Sequence, residues 1–409
     1  MVRIEGGAFA SRLLGDISAP GVRTRVLGVL RRLRPLDAAI EAAARRKTPS
    51  LDPEVRAVLR QALFEIKGLG VPAPVAGDGA VRLVRKMGRP KASGLINAVM
   101  RRAPGHWDRL MREGDDGLRN SHPDWLWRRW VRFFGEEATE RAMAAAQLPA
   151  PLWVWFADAA IGDRLISEGL ELHEHPWMKG AWRAAGSRLV GSLRSGDAYA
   201  QDPASQLVAF LAVALGSADG RVVDLCAAPG GKIARMVRDG RWTTAVAGDL
   251  NLGRLRLADR LLDRWSPRIM RVVQDAMAPS VAPSAWDVVV IDAPCTGTGT
   301  LRRHPELRDR LRPEDIGERA ALQAGILEAA LGLPAPGGVL LYSTCSVEPE
   351  ENEEHFTRLP EGYERVDLVP HLPPGTPVIV TAAGGLRLLP QESCDGFTVH
   401  AMRRMTGMT

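Results

Sequence analysis

Cysteine is scarce in this chain. There are four in 409 residues (Cys226, Cys295, Cys345 and Cys394), and no two form a CxxC pair. That spacing supplies neither a disulfide framework nor a zinc knuckle, so a secreted disulfide scaffold and a zinc finger are excluded and no metal ligand set is expected. Long apolar runs are missing too: the longest, Leu207–Leu215, is about half of the roughly 20 residues that span a bilayer. The first residues, MVRIEGGAFASRLLGD, lack the apolar stretch of a secretion signal. No membrane association is expected, and the expected compartment is the cytoplasm.

What is present is an ordinary globular balance, 45% hydrophobic and 25% charged residues, in a chain too long for one hydrophobic core. Net charge is +6, unevenly spread. Residues 1–150 hold 27 Lys+Arg against 16 Asp+Glu, a balance of +11, which leaves −5 for 151–409. A basic front half points to a polyanion as partner, although a solvated arginine-rich helical surface has the same composition.

Between residues 21 and 102 the apolar positions recur at helical spacing (Val26, Leu27, Leu30, Leu33, then Val58, Leu59, Leu63, Ile66), with breakers at Gly70, Pro72–Pro74 and Gly88–Pro90. This predicts an all-α segment of short helices ending near Arg102 or Ala103. Ser50, ahead of Asp52 and Glu54, is placed to start one helix, and another piece is predicted over 123–146. Eight of the eleven tryptophans fall between Trp107 and Trp182. Those interleaved with arginine (Trp127, Arg128, Arg129, Trp130) can stack bases, but such residues more often lock a core or a domain junction. The proline-marked stretch 147–200 reads as a small α/β connector.

From residue 205 the pattern changes. Short β-branched runs (Arg221–Leu225, Thr244–Asp249, Met270–Val273, Asp287–Asp292 and Gly338–Ser343) alternate with helical stretches, which predicts a parallel, doubly wound sheet. Ligands of such sheets lie beyond the carboxyl ends of the strands, near the switch point. The chemistry-bearing strings fall at those ends.

The first is VVDLCAAPGGK, Val222–Lys232. The small residues Cys226, Ala227, Ala228, Pro229, Gly230 and Gly231 let a ligand approach the backbone. With Pro229 inside, the turn is not GxGxxG, which favours a nucleoside with an amino-acid tail over a pyrophosphate. It also speaks against a nicotinamide-dependent dehydrogenase. Asp249, closing the second strand, is placed to hold ribose hydroxyls, and Asp275, after the third, to meet an adenine amino group or simply to cap a turn. The next two strings are Asp292-Ala293-Pro294-Cys295, followed by Arg302-Arg303-His304 as a tail able to grip phosphate, and Tyr342-Ser343-Thr344-Cys345-Ser346. The acids Glu348, Glu350, Glu351, Glu353 and Glu354 come after the last.

A free cysteine is usually an inert core residue. Two of them on polar loops at the active end of one sheet are placed to face a single ligand. Cytosine C5 is too weak a nucleophile to take a methyl group directly; addition of a thiolate at C6 converts the ring to an enamine whose C5 can. An acid such as Asp292 assists by hydrogen-bonding the N3 edge. The C5 proton must afterwards leave and the first thiol be expelled, which calls for a second group. Cations lower a thiol's pKa, and Lys232 and Arg303 are the candidates.

DLCAAPGGK, DAPCTGTGTLRRHPE and YSTCSVEPEENE together resemble the RNA cytosine-5 methyltransferases of the Sun (Fmu) type. Arg56–Ile66 and GRPKASGLINAVMRR are similar to the NusB-like RNA-binding domain of the bacterial small-subunit (16S) ribosomal RNA methyltransferase B branch, and AQDPASQL resembles the segment that enters its catalytic domain. The resemblance implies an all-α NusB-like domain (1–145), a small α/β connector (146–203) and a Rossmann-like methyltransferase domain (204–409). It implies S-adenosylmethionine as cofactor, held by Cys226–Lys232, Asp249, Asp275 and Asp292. Catalysis falls to Cys345 as nucleophile, Cys295 in breakdown of the adduct, and Asp292 reaching the base. Cys226 is structural in that family, and Cys394 matches no catalytic position. Small-subunit ribosomal RNA, free or in an assembling 30S particle, is the implied partner and a monomer the expected state. Transfer RNA as substrate, and an RNA-binding assembly factor with incidental or lost methylation, stay open.

Overall fold

The computed structural model describes residues 1–15, 20–184, 188–257, 262–263 and 269–407. The chain divides into two units, Met1–Pro149 with Leu301–Leu311, and Ala150–Thr300 with Arg312–Thr409.

The first unit is helical. Leu36 and Ile40, Leu59 and Leu63, Ile96 and Val99 are each fully buried. These pairs stand three or four residues apart, on one face of the helices Leu33–Ala44, Pro53–Leu69 and Ser93–Glu113. Asp52, not Ser50, starts the second of these: its carboxylate accepts the Glu54 and Val55 N–H groups, and Pro53 occupies the first helical position. The third does not end at Ala103 but continues through Pro104 to Glu113. Buried Ala103 and Trp107 extend its apolar stripe past the proline, and that packing outweighs one lost hydrogen bond. The 123–146 piece is two helices, Asp124–Phe134 and Glu136–Ala145, separated by Gly135.

Leu301–Leu311 belongs with this unit. Arg308, 1% exposed, donates to the carbonyls of Arg31 (2.7 Å) and Ala146 (2.6 Å). The Arg31 guanidinium in turn donates to the Arg302 carbonyl (2.9 Å), and Glu306 accepts the Ala10 N–H (3.0 Å). Arg302 is also 1% exposed, so it is an interior residue like Arg308, whereas Arg303 and His304 are half-buried.

The second unit holds two sheets. The smaller has strand order β2-β3-β1-β4, with β1 Trp153–Phe156, β2 Leu172–Glu174, β3 Trp182–Ala184 and β4 Ala198–Ala200. The larger is built on β5 Gly220–Asp224, β6 Trp242–Asp249, β7 Ile269–Val273, β8 Trp286–Asp292 and β9 Pro334–Thr344, parallel in the order β7-β6-β5-β8-β9. Val222, Val223, Val288–Ile291, Leu340 and Leu341 are fully buried, as strands covered on both faces must be. The sheet is not wholly parallel. β10 Tyr363–Arg365, β11 Ile379–Val380, β12 Leu386–Leu388 and β13 Phe397–Arg404 complete it, and β13 runs antiparallel beside β9. Strand order reverses between β5 and β8, which places the crevice beyond Asp224, Asp249, Asp292 and Thr344. The apolar run at 207–215 lies in the buried helix Pro203–Leu215. Among the described residues no helix is long and apolar enough to cross a membrane.

Candidate active site

β5 ends on Asp224, fully buried, whose carboxylate accepts the Cys226 N–H (3.1 Å). The chain then turns through Leu225–Gly230, with a cis bond at Ala228–Pro229, and enters the helix Gly231–Asp239. The turn is tied to the end of β6. Ala227 N–H donates to the Gly248 carbonyl (2.8 Å), and Ala228 N–H to Asp249 Oδ2 (3.1 Å). Asp249 Oδ1 accepts the Asn251 N–H (2.9 Å), while Arg254 donates to the Ala228 carbonyl (2.8 Å). Gly230 sits at φ +95°, and a Cβ on Gly231 would stand 2.3 Å from the Tyr199 ring, so this backbone admits no larger residue.

An adenosine-bearing cofactor fits these surroundings. Beside Asp249 and Asp275, at the ends of β6 and β7, Leu250 and Met277 are 70% and 49% exposed. Apolar side chains left in solvent next to carboxylates suit the faces and the polar edges of a nucleoside. Asp275 is exposed, and its carboxylate accepts the Met277 N–H (2.9 Å), so it caps its own turn as well.

The thiols lie on the other side of the switch point. β8 and β9 pair in parallel with Asp292 opposite Ser343, so the loops that follow run side by side. Cys295 Sγ and Cys345 Sγ are 3.3 Å apart. Lys232 Nζ donates to Asp292 Oδ2 at 2.6 Å, and the Ser343 hydroxyl to Asp292 Oδ1 at 3.1 Å. One acid, one ammonium and two thiols thus converge at the carboxyl ends of three adjacent strands.

Each charge perturbs its neighbours. Burial lifts Asp224 to about 7, helped by repulsion from Asp292 and opposed by Lys232. Burial disfavours the Lys232 ammonium, but Asp292, Asp224 and Cys345 more than offset this and raise its pKa. The Cys295 thiol is held well above its ordinary value, first by its hydrogen bond to Cys345 and then by burial and the charge of Cys345, Glu351 and Asp292. Burial and then Asp224, Asp292 and Asp249 hold Cys226 high, leaving it a poor nucleophile at neutral pH.

Cys226–Lys232, Asp249, Asp292, Cys295 and Cys345 therefore gather at one end of the sheet, with Asp275 at its rim. Arg303 lies in the 301–311 stretch of the first unit, where its charge bears on Arg31. Cys394 is fully buried in the core. Sequence reasoning missed Asp224 and Tyr199, and did not single out Glu351 from the acids around it. Glu351 is fully buried against Thr296 and Ser346, the residues that follow the two cysteines.

The family model described as 16S rRNA methyltransferase RsmB/F matches residues 212–403, and that of the NusB family matches residues 11–104. Ribosomal RNA small subunit methyltransferase B of Xanthomonas campestris pv. campestris is 33% identical over 405 residues, covering 94% of this chain and 89% of its own. The Thermus thermophilus protein of the same name is 35% identical over 387 residues, covering 93% and 87%. Among solved structures, PH0851 superposes with a TM-score of 0.75 at 22% identity, over 98% of this chain and 96% of that one, which shows a common fold.

Proposed function

The chain belongs to the RsmB/F family of 16S rRNA methyltransferases, with a NusB-family domain ahead of the catalytic one, and from that premise we propose that it methylates C5 of a cytosine in small-subunit ribosomal RNA through a covalent Cys345–C6 adduct. Its cofactor, S-adenosylmethionine, supplies an electrophilic methyl group when bound. The turn Cys226–Gly231 with Asp249 and Asp275 would hold it, and Lys232 and Asp292 would border it on the thiol side. In the three-part division 1–145, 146–203 and 204–409, the basic helical part contributes phosphate contacts and the last part reads a base turned out of its stack.

Cys345, as thiolate, forms a bond to C6, and the C5=C6 pair becomes available at C5. Asp292 binds the N3 edge, with Lys232 and Ser343 fixing the orientation of its carboxylate. Once C5 carries the methyl group, its proton has to leave. Cys295, having released its own proton to solvent, takes it; the C5–H pair restores C5=C6, and the C6–S pair returns to Cys345. The foremost cause of the raised Cys295 pKa is its hydrogen bond to Cys345. That contribution weakens once Cys345 is a thioether, a poorer acceptor without charge, which eases ionisation of Cys295 at the stage that needs a base.

The observation that carries this reading is the 3.3 Å pair of sulfurs beside the Lys232–Asp292 ion pair, at the ends of β8 and β9. The test is methyl transfer from radiolabelled S-adenosylmethionine to deproteinised small-subunit RNA, to 30S particles and to transfer RNA. Cys345→Ala is expected to abolish transfer, and Cys295→Ala to accumulate an RNA adduct that survives denaturation. Full activity of Cys345→Ala refutes the mechanism. Label on transfer RNA alone keeps the chemistry and moves the substrate.

A further inference from the structure

The two cysteine loops are fastened differently. Cys345 follows directly on β9, which pairs with β8 on one side and β13 on the other. Its carbonyl accepts the Gly299 N–H (3.0 Å). The next residue, Ser346, is held by Thr344 Oγ1 at its N–H (3.2 Å), and its carbonyl accepts from Thr398 Oγ1 (2.9 Å) and Asn352 Nδ2 (3.2 Å). These backbone contacts do not involve the Glu351 side chain, which reaches this loop only at the Ser346 hydroxyl.

The two neighbours of Cys295 meet the Glu351 side chain or its hydrogen-bond partner. Beyond Ala293, whose N–H still reaches the Ser343 carbonyl (2.9 Å), the loop leaves the sheet. Thr296, next to Cys295, donates its N–H to Glu351 Oε1 (2.8 Å) and its hydroxyl to Glu351 Oε2. On the other flank the Pro294 carbonyl accepts from Gln323 Nε2 (3.0 Å), and the same amide donates to Glu351 Oε1 (3.1 Å). The Ser346 hydroxyl also donates to Oε2. A fully buried carboxylate thus faces four donors, the surroundings of an ionised acceptor. Its own backbone is fixed, with the Tyr342 hydroxyl donating to the Glu351 carbonyl (2.7 Å).

We propose that Glu351 is a positioning residue for breakdown of the adduct: it holds Cys295 in reach of the substrate carbon, while Cys345 keeps its place without it. The proposal rests on the two-thiol mechanism above. Removing the carboxylate should leave addition to C6 largely intact and impair the step that frees the product. A residue needed only for folding would weaken both steps together.

Glu351→Gln keeps the shape but replaces one acceptor oxygen by a donor facing donors. It is expected to accumulate a denaturation-resistant RNA adduct, absent from wild type, and to lower kcat about 10- to 100-fold, the scale of a misplaced reactive group. KM for S-adenosylmethionine should stay within about 2-fold, because the turn that would hold the cofactor is fastened to β6 by hydrogen bonds that do not involve Glu351. Adding Cys345→Ala should remove the adduct. Thr296→Val, which loses one of the four donors and keeps the backbone N–H, should accumulate a smaller amount and serves as the probe if Glu351→Gln does not fold. Wild-type resolution of the adduct by the folded variant, with Cys295→Ala still trapping it, overturns the proposal alone. Methyl transfer by Cys345→Ala, or no trapping by Cys295→Ala, instead defeats the two-thiol mechanism, and the proposal falls with it.

Discussion

Gly299→Ala sets the packing of the thiol loops against a single methyl group. A Cβ there would lie 2.3 Å from the Gly396 carbonyl oxygen and 2.8 Å from that of Cys345. Neither can retreat freely, since Gly396 N–H donates to the Gly299 carbonyl (2.8 Å) and Gly299 N–H to the Cys345 carbonyl (3.0 Å). Relief requires separating the loops by about 1 Å. Loss of two hydrogen bonds at roughly 1 kcal/mol each, with overpacking of roughly 1–3 kcal/mol, gives a cost of about 3–5 kcal/mol. For a unit of this size that corresponds to a fall in Tm of roughly 6–20 °C. Displacing the Cys345 backbone should also lower methyl transfer about 100-fold. Thermal denaturation and radiolabel transfer would be measured beside Gly317→Ala, which lies in the helix Pro313–Ala330 with nothing within 4 Å of the added carbon. That control should gain about 0.5–1 kcal/mol from helix propensity. A Gly299→Ala protein with wild-type Tm and a rate within 2-fold would refute the packing argument.

Two more outcomes follow from buried charge. Lys232→Met removes the cation that restrains Asp224, already lifted to about 7, and deprives Asp292 of its partner at 2.6 Å. An acid with a raised folded pKa loses stability as pH climbs through that value, and this loss is extended when the cation is gone. The Tm gap to wild type left by the broken Asp292 pair should already stand at pH 5, and Asp224 should widen it by roughly 1–1.5 kcal/mol by pH 8; a gap independent of pH would refute the coupling. Arg308→Met leaves the carbonyls of Arg31 and Ala146 without their donor and should destabilise the helical unit by about 2–4 kcal/mol. Urea denaturation followed by hydrogen exchange would place the loss in residues 20–149, and unchanged protection there would count against it.

The strings that meet at the strand ends were legible because their residues are consecutive and the strands that carry them announce themselves by β-branched runs; a strand end is a local property. Glu351 was not, because it is one of five acids in a short stretch and its burial is decided by Thr296, 55 residues away in sequence. Asp224 hid for the same reason, since a carboxylate ending a strand looks alike whether or not it meets Asp292. The antiparallel direction of β13 was not legible, because it depends on the returns at β10–β12, which have no distinctive pattern. Arg302 read as part of a phosphate grip because charge is readable locally and the company of Leu301–Leu311 is not.

That company has a consequence for synthesis. The helical unit takes eleven of its residues, including Arg308, from a stretch about 150 residues downstream of Pro149. A ribosome adding about 5–20 residues per second needs roughly 8–30 s to cover that distance. During this interval the Arg31 and Ala146 carbonyls face no guanidinium, and the N-terminal half can settle only into an incomplete form. Its final closure has to wait until β5–β8 have been made, so the order of folding departs from the order of synthesis. A nascent chain halted before residue 301 should expose this half to protease, and one extended past residue 311 and clear of the exit tunnel should protect it.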